Sequence, residues 1–276
     1  MDNAEVSICI PVYNAENYIK ETVQSILKQT FENFELIIFD NNSTDNTVNI
    51  IKTFKDKRIK LYKNDTNLGM VKNWNECLKK IKGKYIHFVC SDDILYQDCI
   101  KEKIDLIKQH SDVVMVVSNT DIINSDGKKI FTRKFCRKTK ILSGEKIAKK
   151  SFRTRNLFGE PSNVLFKNLK KENIGDFNEE LSYTPDWEYW LRLTKYGRVA
   201  FISKALTKYR VLPTSGTAYL LSKTKIMRAD DRILIASMKK AYGSKITKLD
   251  IFSHKLVGTL RLYAKWIFIK IFTKKR

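Results

Sequence analysis

The sequence predicts an α/β fold: a mainly parallel sheet flanked by helices, followed by a helical extension at the C-terminus. Three observations carry this. Between Val6 and Val117, short apolar β-branched runs alternate with segments of helical spacing. Polar turns punctuate the ends of the runs, where ligand crevices of parallel sheets lie. Beyond Gly216 the pattern turns helical throughout.

Val6-Ser-Ile-Cys-Ile-Pro-Val12 reads as a buried first strand, turned by Tyr13-Asn14-Ala15 into a helix over 15–29 through Ile19, Val23, Ile26 and Leu27. Phe34–Phe39 is a second strand. Asp40-Asn-Asn-Ser-Thr-Asp45 halts it, with Ser43 or Asp45 as cap for a helix through Val48, Ile51 and Phe54. Ile59–Tyr62 alternates with polar residues, as an edge strand does, and a helix over 71–81 ends at Gly83. Tyr85–Cys90 is the next strand and stops at the paired acids Asp92 and Asp93. A helix over 98–109 leads to the apolar strand Val113–Val117. Asn124-Ser-Asp-Gly127 predicts a hairpin between Thr120–Ile123 and Lys129–Phe135. A helix over 143–155, a strand at Asn163–Phe166, helical spacing over Trp187–Leu193 and late strands at Val199–Ile202 and Leu206–Val211 complete this portion. Tyr13-Asn14, Asp40 and Asp92-Asp93 all fall at strand ends, so three turns converge on one crevice.

Composition narrows the function. With 43% hydrophobic residues the 276-residue chain builds a sizeable core, which excludes general disorder. A formal net charge of +22 favours polyanions, acidic membranes or phosphate-bearing substrates, or else marks a solvated lysine-rich surface. Five cysteines without CxxC spacing fit a reducing compartment. There is no signal-peptide pattern and no run of uncharged apolar residues long enough to span a bilayer, so the active portion is expected to face the cytoplasm. The first strand lacks G-x-G-x-x-G at its turn, and no P-loop motif occurs, which removes dehydrogenase and P-loop NTPase chemistry. No nucleic-acid motif or dense basic-aromatic tract is present, so no nucleic-acid partner is expected. His87 lies within a strand and reads as structural; His110 and His254 have no zinc-site spacing.

Val6–Ala15, Asp40–Asp45, Asn67-Leu-Gly69 and Ser91-Asp-Asp93 together resemble the amino-terminal signatures of family 2 glycosyltransferases, and Pro185-Asp-Trp-Glu-Tyr-Trp-Leu-Arg192 resembles their acceptor-side motif. The resemblance covers roughly residues 5–215. It implies the GT-A nucleotide-diphospho-sugar transferase fold, with a Rossmann-like sheet. The implied reaction is inverting transfer of a sugar from a nucleoside diphosphate donor to a hydroxyl of a glycan or lipid-linked acceptor, as in lipopolysaccharide or capsule assembly. The expected division is a catalytic domain over 1–216, mainly donor-binding over 5–118 and mainly acceptor side over 119–216, with a basic amphipathic extension over 217–276.

The resemblance also assigns roles. Asp93 matches the acid that binds Mg²⁺ or Mn²⁺ beside the donor diphosphate, and Asp92 the neighbour that approaches the ribose; the alternative for the pair is a capped turn. Asp40 matches the base-reading acid, which implies a UDP-sugar or dTDP-sugar donor. Pro11, Tyr13 and Asn14 match the segment framing the nucleotide, and Asn67 and Gly69 the turn before a site-facing helix. Asp45 is a candidate for ligand contact or capping, and Lys72 for diphosphate contact or plain exposure. Asp186 matches the general base, with Glu188 as its competitor. Trp187 and Trp190 are candidates for an acceptor surface or for the core, and Arg192 for an acid partner or phosphate. Glu160 sits in a loop resembling one that approaches donor or acceptor. Arg210 offers phosphate compensation, although Leu212 stands where the family often has histidine. Nucleotidyl transfer and a noncatalytic basic protein, binding nucleic acid or associated with a membrane, are the rival functions.

In the extension, Leu256, Val257, Leu260, Tyr263, Ala264, Ile267, Phe268 and Ile271 share one helical arc, with Lys255, Arg261, Lys265 and Lys270 across from it. The pattern suits an interfacial helix on an anionic membrane, at the inner face of a bacterial plasma membrane. Packing on the protein's own core or on a twin subunit is the alternative.

Overall fold

A computed structural model gives the structure of residues 4–212 and 224–273. The elements are β1 (Val6–Val12), α1 (Ile19–Leu27), β2 (Phe34–Asp40), α2 (Thr47–Lys52), β3 (Ile59–Lys63), α3 (Met70–Lys80), β4 (Tyr85–Phe88), β5 (Ile94–Leu95), α4 (Cys99–Gln109) and β6 (Val113–Ile123). They continue with β7 (Lys129–Arg133), β8 (Lys140–Leu142), α5 (Gly144–Thr154), β9 (Val164–Lys167), α6 (Pro185–Leu193), β10 (Arg198–Arg210), α7 (Thr224–Tyr242) and α8 (Lys248–Thr273).

All strands join one sheet in the order β3-β2-β1-β4-β9-β6-β10-β5, with β7 on β6 and β8 on β10. β1, β2, β3 and β4 pair in parallel, as do β6 and β10. β9 enters antiparallel between β4 and β6, so the sheet is mixed beyond its first half. β1 and β2 are covered on both faces and are therefore mostly apolar, with buried Ser7 donating to Glu35 at 2.6 Å. Their residues divide by parity: Ile8, Ile10, Leu36 and Ile38 enter one core, and Cys9, Ile37 and Phe39 the other. β3 is half-buried at the sheet's end, as its polar alternation predicts.

The chain moves outward from β1 to β2 and β3, then returns to place β4 on the other side of β1. That reversal opens a crevice above the C-terminal ends of β1 and β4. The expected division at 118/119 falls inside β6, and both portions share the sheet; the division at 216/217 lies outside the described residues.

An aromatic cluster seats α6 on the sheet. Trp190 packs on Phe166 of β9 at 5.1 Å between ring centroids, and Tyr189 on Phe177 at 4.3 Å. Phe177 in turn meets Phe88, the last residue of β4, at 5.3 Å. The extension folds back on this body: α7 packs on α6 and α8 on α5. Arg153 of α5 pairs with Asp250, and His254 stacks on Phe152 with centroids 4.4 Å apart while its Nδ1 bonds the Phe152 carbonyl at 2.8 Å.

Candidate active site

The crevice is built by two turns that hydrogen-bond to each other. Asn14 follows β1 in the left-handed region at φ 48°, a conformation asparagine tolerates better than most residues. Its main-chain N–H donates to Ser43 Oγ at 2.9 Å, and its side-chain oxygen accepts the Thr44 N–H at 2.9 Å. The Ala15 N–H donates to Thr47 Oγ1, and the Glu16 N–H to Asp45. Asp45 also accepts the Thr47 N–H at 3.0 Å, closing a turn just before Asn46, the residue that stands at the N-cap of α2. Asp40 is fully buried, and its oxygens accept the Ser43 N–H at 3.1 and 3.3 Å. Pro11 sits opposite Phe39 in the β1–β2 register, while Tyr13 is 47% exposed beside these turns.

A second network ties the loop before α3 to β2. Asn41 Nδ2 donates to Asn67 Oδ1 at 2.8 Å, and Asn41 Oδ1 accepts from Asn64 Nδ2 and from the Leu68 N–H. Asn67 also accepts the Gly69 N–H at 2.9 Å. Gly69 has φ +84° with open space where a Cβ would stand, so glycine serves the backbone conformation rather than a close packing contact.

The paired acids occupy the turn between β4 and β5. Asp93 is fully buried: Oδ2 accepts the Ser162 hydroxyl at 2.5 Å and Oδ1 the Arg210 main-chain N–H at 3.0 Å. Ser162 Oγ also accepts the Cys90 N–H at 2.9 Å, so one hydroxyl clamps both sides of the turn. Asp92 is half-buried. Burial raises the carboxyl pKa of both residues, and for Asp93 the neighbouring Asp92 charge raises it further. The sequence assigns Asp93 to a cation, yet the enclosed carboxylate is Asp93 and the accessible one is Asp92. Adjacent hard oxygens whose mutual repulsion a cation relieves fit Mg²⁺ or Mn²⁺. Among the described residues no group of three or more His, Cys, Asp or Glu forms a self-sufficient metal site.

Arg210 is an internal brace rather than a surface cation. Its side chain is 1% exposed; Nε donates to the Asp92 carbonyl at 2.9 Å and Nη1 to the Ser125 carbonyl at 2.8 Å. Nη2 pairs with Glu21 at 2.6 Å, and the guanidinium lies 4.7 Å from the Tyr18 ring centroid. Glu160 pairs with Arg133, whose guanidinium lies over Phe135 and Tyr209. Loss of solvent around half-buried Tyr209, and then the charges of Glu160, Asp93 and Asp92, hold its phenol well above the usual range.

On α6, Asp186 stands half-buried in the first turn. Glu188 is buried and committed to Arg192 at 2.8 Å and to Ser237 of α7. Arg192 also donates to the carbonyls of Ile174 and Asp176, so it holds a loop. Trp190 is core, and Trp187 is buried with its Nε1 donating to Ser151 at 2.9 Å. The turn entering α6 hangs on Asp230 of α7, which accepts the N–H groups of Ser182, Tyr183 and Thr184 at 3.2, 2.6 and 2.9 Å.

The description "Glycosyl transferase family 2" matches residues 7–168, which contain the crevice turns and the acid pair. The chain belongs to glycosyl transferase family 2. An uncharacterized glycosyltransferase of Rickettsia typhi is 26% identical over 261 residues, covering 94% of this chain and 80% of the relative. The Escherichia coli enzyme WfgD, a UDP-Glc:alpha-D-GlcNAc-diphosphoundecaprenol beta-1,3-glucosyltransferase, is 30% identical over 217 residues, covering 78% of this chain and 80% of that enzyme. Among solved structures, residues 1–349 of Staphylococcus aureus TarS in complex with UDP-GlcNAc share the fold at TM-score 0.68 and 22% identity, covering 96% of this chain and 79% of that one.

As a family 2 glycosyltransferase, the chain transfers sugar from a nucleotide-sugar donor. The structure gathers Pro11, Tyr13, Asn14, Asp40, Asn67 and Gly69 on one side of the crevice, and Asp92, Asp93, Glu160 and Arg210 around the acidic turn. Asp186 stands in the first turn of α6, and Glu188, Trp190 and Arg192 serve the packing of that helix. Sequence reasoning missed Ser162, Glu21, Arg133 and Asp230. Ser162 stands inside the flagged Glu160–Asn163 loop, where a buried hydroxyl gives no periodic signal.

Proposed function

We propose that the chain moves a sugar, with inversion, from a UDP-sugar or dTDP-sugar to a hydroxyl of a glycan or lipid-linked glycan acceptor. The observation that carries the reading is the lacing of the β1 and β2 turns beside the acid pair at the end of β4, a nucleotide crevice and a diphosphate site in one place. WfgD, whose name specifies a UDP-sugar and a diphosphate-lipid acceptor, supports both substrate classes and a place in bacterial polysaccharide assembly.

Tyr13 stacks on the base, and Asp40, buried under the Ser43 turn, is the acid that reads its imide N–H. Asp92 is the carboxylate that meets the cation, and Asp93, fixed by Ser162 and Arg210, holds the turn in register. A Mg²⁺ or Mn²⁺ ion bound there would offset charge developing on the leaving nucleotide. Asp186 takes the acceptor proton as the hydroxyl oxygen bonds the anomeric carbon and the bond to diphosphate breaks. Glu188 is buried and bonded to Arg192 and Ser237, whereas Asp186 stands half-buried in the first turn of α6.

Titration calorimetry with UDP-, dTDP- and GDP-sugars, with and without Mn²⁺, tests the donor assignment. Metal-dependent binding of UDP- or dTDP-sugars is expected; tighter binding of a GDP-sugar overturns it. Asp186→Asn is expected to bind donor normally and to lose transfer by about 100-fold or more. Near-normal transfer by that variant rejects the base.

A further inference from the structure

Helix α8 has two faces with opposite fates. Asp250, His254 and Gly258 are buried, with Asp250 and His254 held by α5 residues Arg153 and Phe152. On the other side Leu249, Phe252, Leu256, Leu260 and Ile267 are 70, 63, 53, 64 and 49% exposed. At 100° per residue these five fall within an arc of about 80°, along roughly 27 Å of helix. The rest of the body leaves them in water, and a stripe of this kind marks a surface that docks elsewhere.

The charge on the helix selects the occupant. Lys248, Lys255, Arg261, Lys265 and Lys270 stand against one acid, Asp250, and that acid is buried on Arg153. Lys248 and Lys255 are exposed, and the whole chain carries a formal net charge of +22. Pairing this stripe with that of a second copy would bring like-charged rows together. An anionic bilayer instead offers apolar depth to the stripe and negative headgroups to exposed Lys248 and Lys255, which lie beside it on the helical wheel. No described helix is long and apolar enough to cross a membrane, so the geometry is that of a helix lying in the plane of the interface.

We propose that α8 lays the Leu249–Phe252–Leu256–Leu260–Ile267 stripe into the surface of an anionic lipid bilayer. This goes beyond the sugar-transfer reading and stands or falls independently of it.

The test is flotation of the full chain with vesicles of phosphatidylcholine containing phosphatidylglycerol, and with phosphatidylcholine alone. The protein is expected to float with the anionic vesicles, to be released by salt, and to bind neutral vesicles weakly. Leu256→Gln combined with Leu260→Gln is expected to cut anionic-vesicle binding about 10-fold or more with an unchanged circular dichroism spectrum. The corresponding double alanine variant, which favours helix, serves if the glutamine variant misfolds. Sedimentation of the wild type in the unbound fraction overturns the proposal, as does flotation of a folded double variant at the wild-type level. A wild-type dimer in sedimentation velocity that becomes monomeric in the double variant, without vesicle binding by either, assigns the stripe to a second copy and equally overturns it.

Discussion

Arg210 donates its main-chain N–H to Asp93 Oδ1 at 3.0 Å, and its guanidinium holds the carbonyl of Asp92, so the last residue of β10 fixes the acidic turn from both sides. The side chain reaches Glu21, the β6–β7 turn and Asp92 together. Arg210→Ala removes a buried guanidinium that serves the carbonyls of Asp92, Asn124 and Ser125 and pairs with Glu21, and a cost of about 2–3 kcal/mol is expected. Thermal denaturation should show the loss. Arg210→Lys keeps the charge but not the planar fork, so it should recover only part of the stability and of the transfer rate.

The acid pair makes stability depend on pH and metal in a linked way. Its carboxyls titrate above their ordinary range, first through burial and, for Asp93, then through the Asp92 charge. The folded state therefore binds these protons more tightly than the unfolded chain. The pair's contribution to stability is fully present below the ordinary carboxylate range and is lost as pH rises through the raised values. Mn²⁺ binds the ionised form, so its stabilising effect should be larger at roughly pH 8 than at about pH 5. Asp92→Asn is expected to hold or raise the metal-free Tm near neutrality and to abolish the Mn²⁺ shift. Differential scanning fluorimetry across pH checks both; a Mn²⁺ shift retained in that variant would place the ion elsewhere.

Much of the sheet was legible because β1, β2 and β4 are short apolar runs that end at polar turns, and burial on both faces leaves no alternation to misread. The place of β9 was not. Asn163–Phe166 reads as a strand, but its antiparallel insertion between β4 and β6 is set by pairings such as Ile86 with Phe166, far apart in the chain. The site divides similarly. Turn residues such as Asn14 and Asp45 act on near neighbours in space that the strand rhythm already implies. The family resemblance suggests Arg210 for phosphate compensation; its partners at 21, 92, 124 and 125 come together only through the fold. The difference in burial between Asp92 and Asp93 was hidden for the same reason, since enclosure by Ser162 cannot be read from an acid pair alone.

Asp230 links α7 to α6, the helix of the proposed base Asp186. It is buried, and the entry turn of α6 rests on its carboxylate through three main-chain N–H groups. Asp230→Ala should cost about 2–3 kcal/mol and let the first turn of α6, with Asp186, drift. The expected signature is a lower Tm and a kcat reduced about 10-fold with donor affinity unchanged, because the nucleotide turns lie on other elements. Equal losses in donor binding and kcat would instead mean general unfolding.

Tyr13 separates binding from stability most cleanly. Its ring is 47% exposed at the mouth of the crevice, so removing it takes little from the core. Base stacking on an aromatic side chain is worth about 1–3 kcal/mol, so Tyr13→Ala should weaken donor affinity by roughly 5- to 150-fold at an unchanged Tm. Tyr13→Phe keeps the stacking face and should bind donor as the wild type does. Calorimetry on the two variants distinguishes stacking from any role of the hydroxyl: equal loss in both assigns the contact to the oxygen, and no loss in either removes Tyr13 from the nucleotide site.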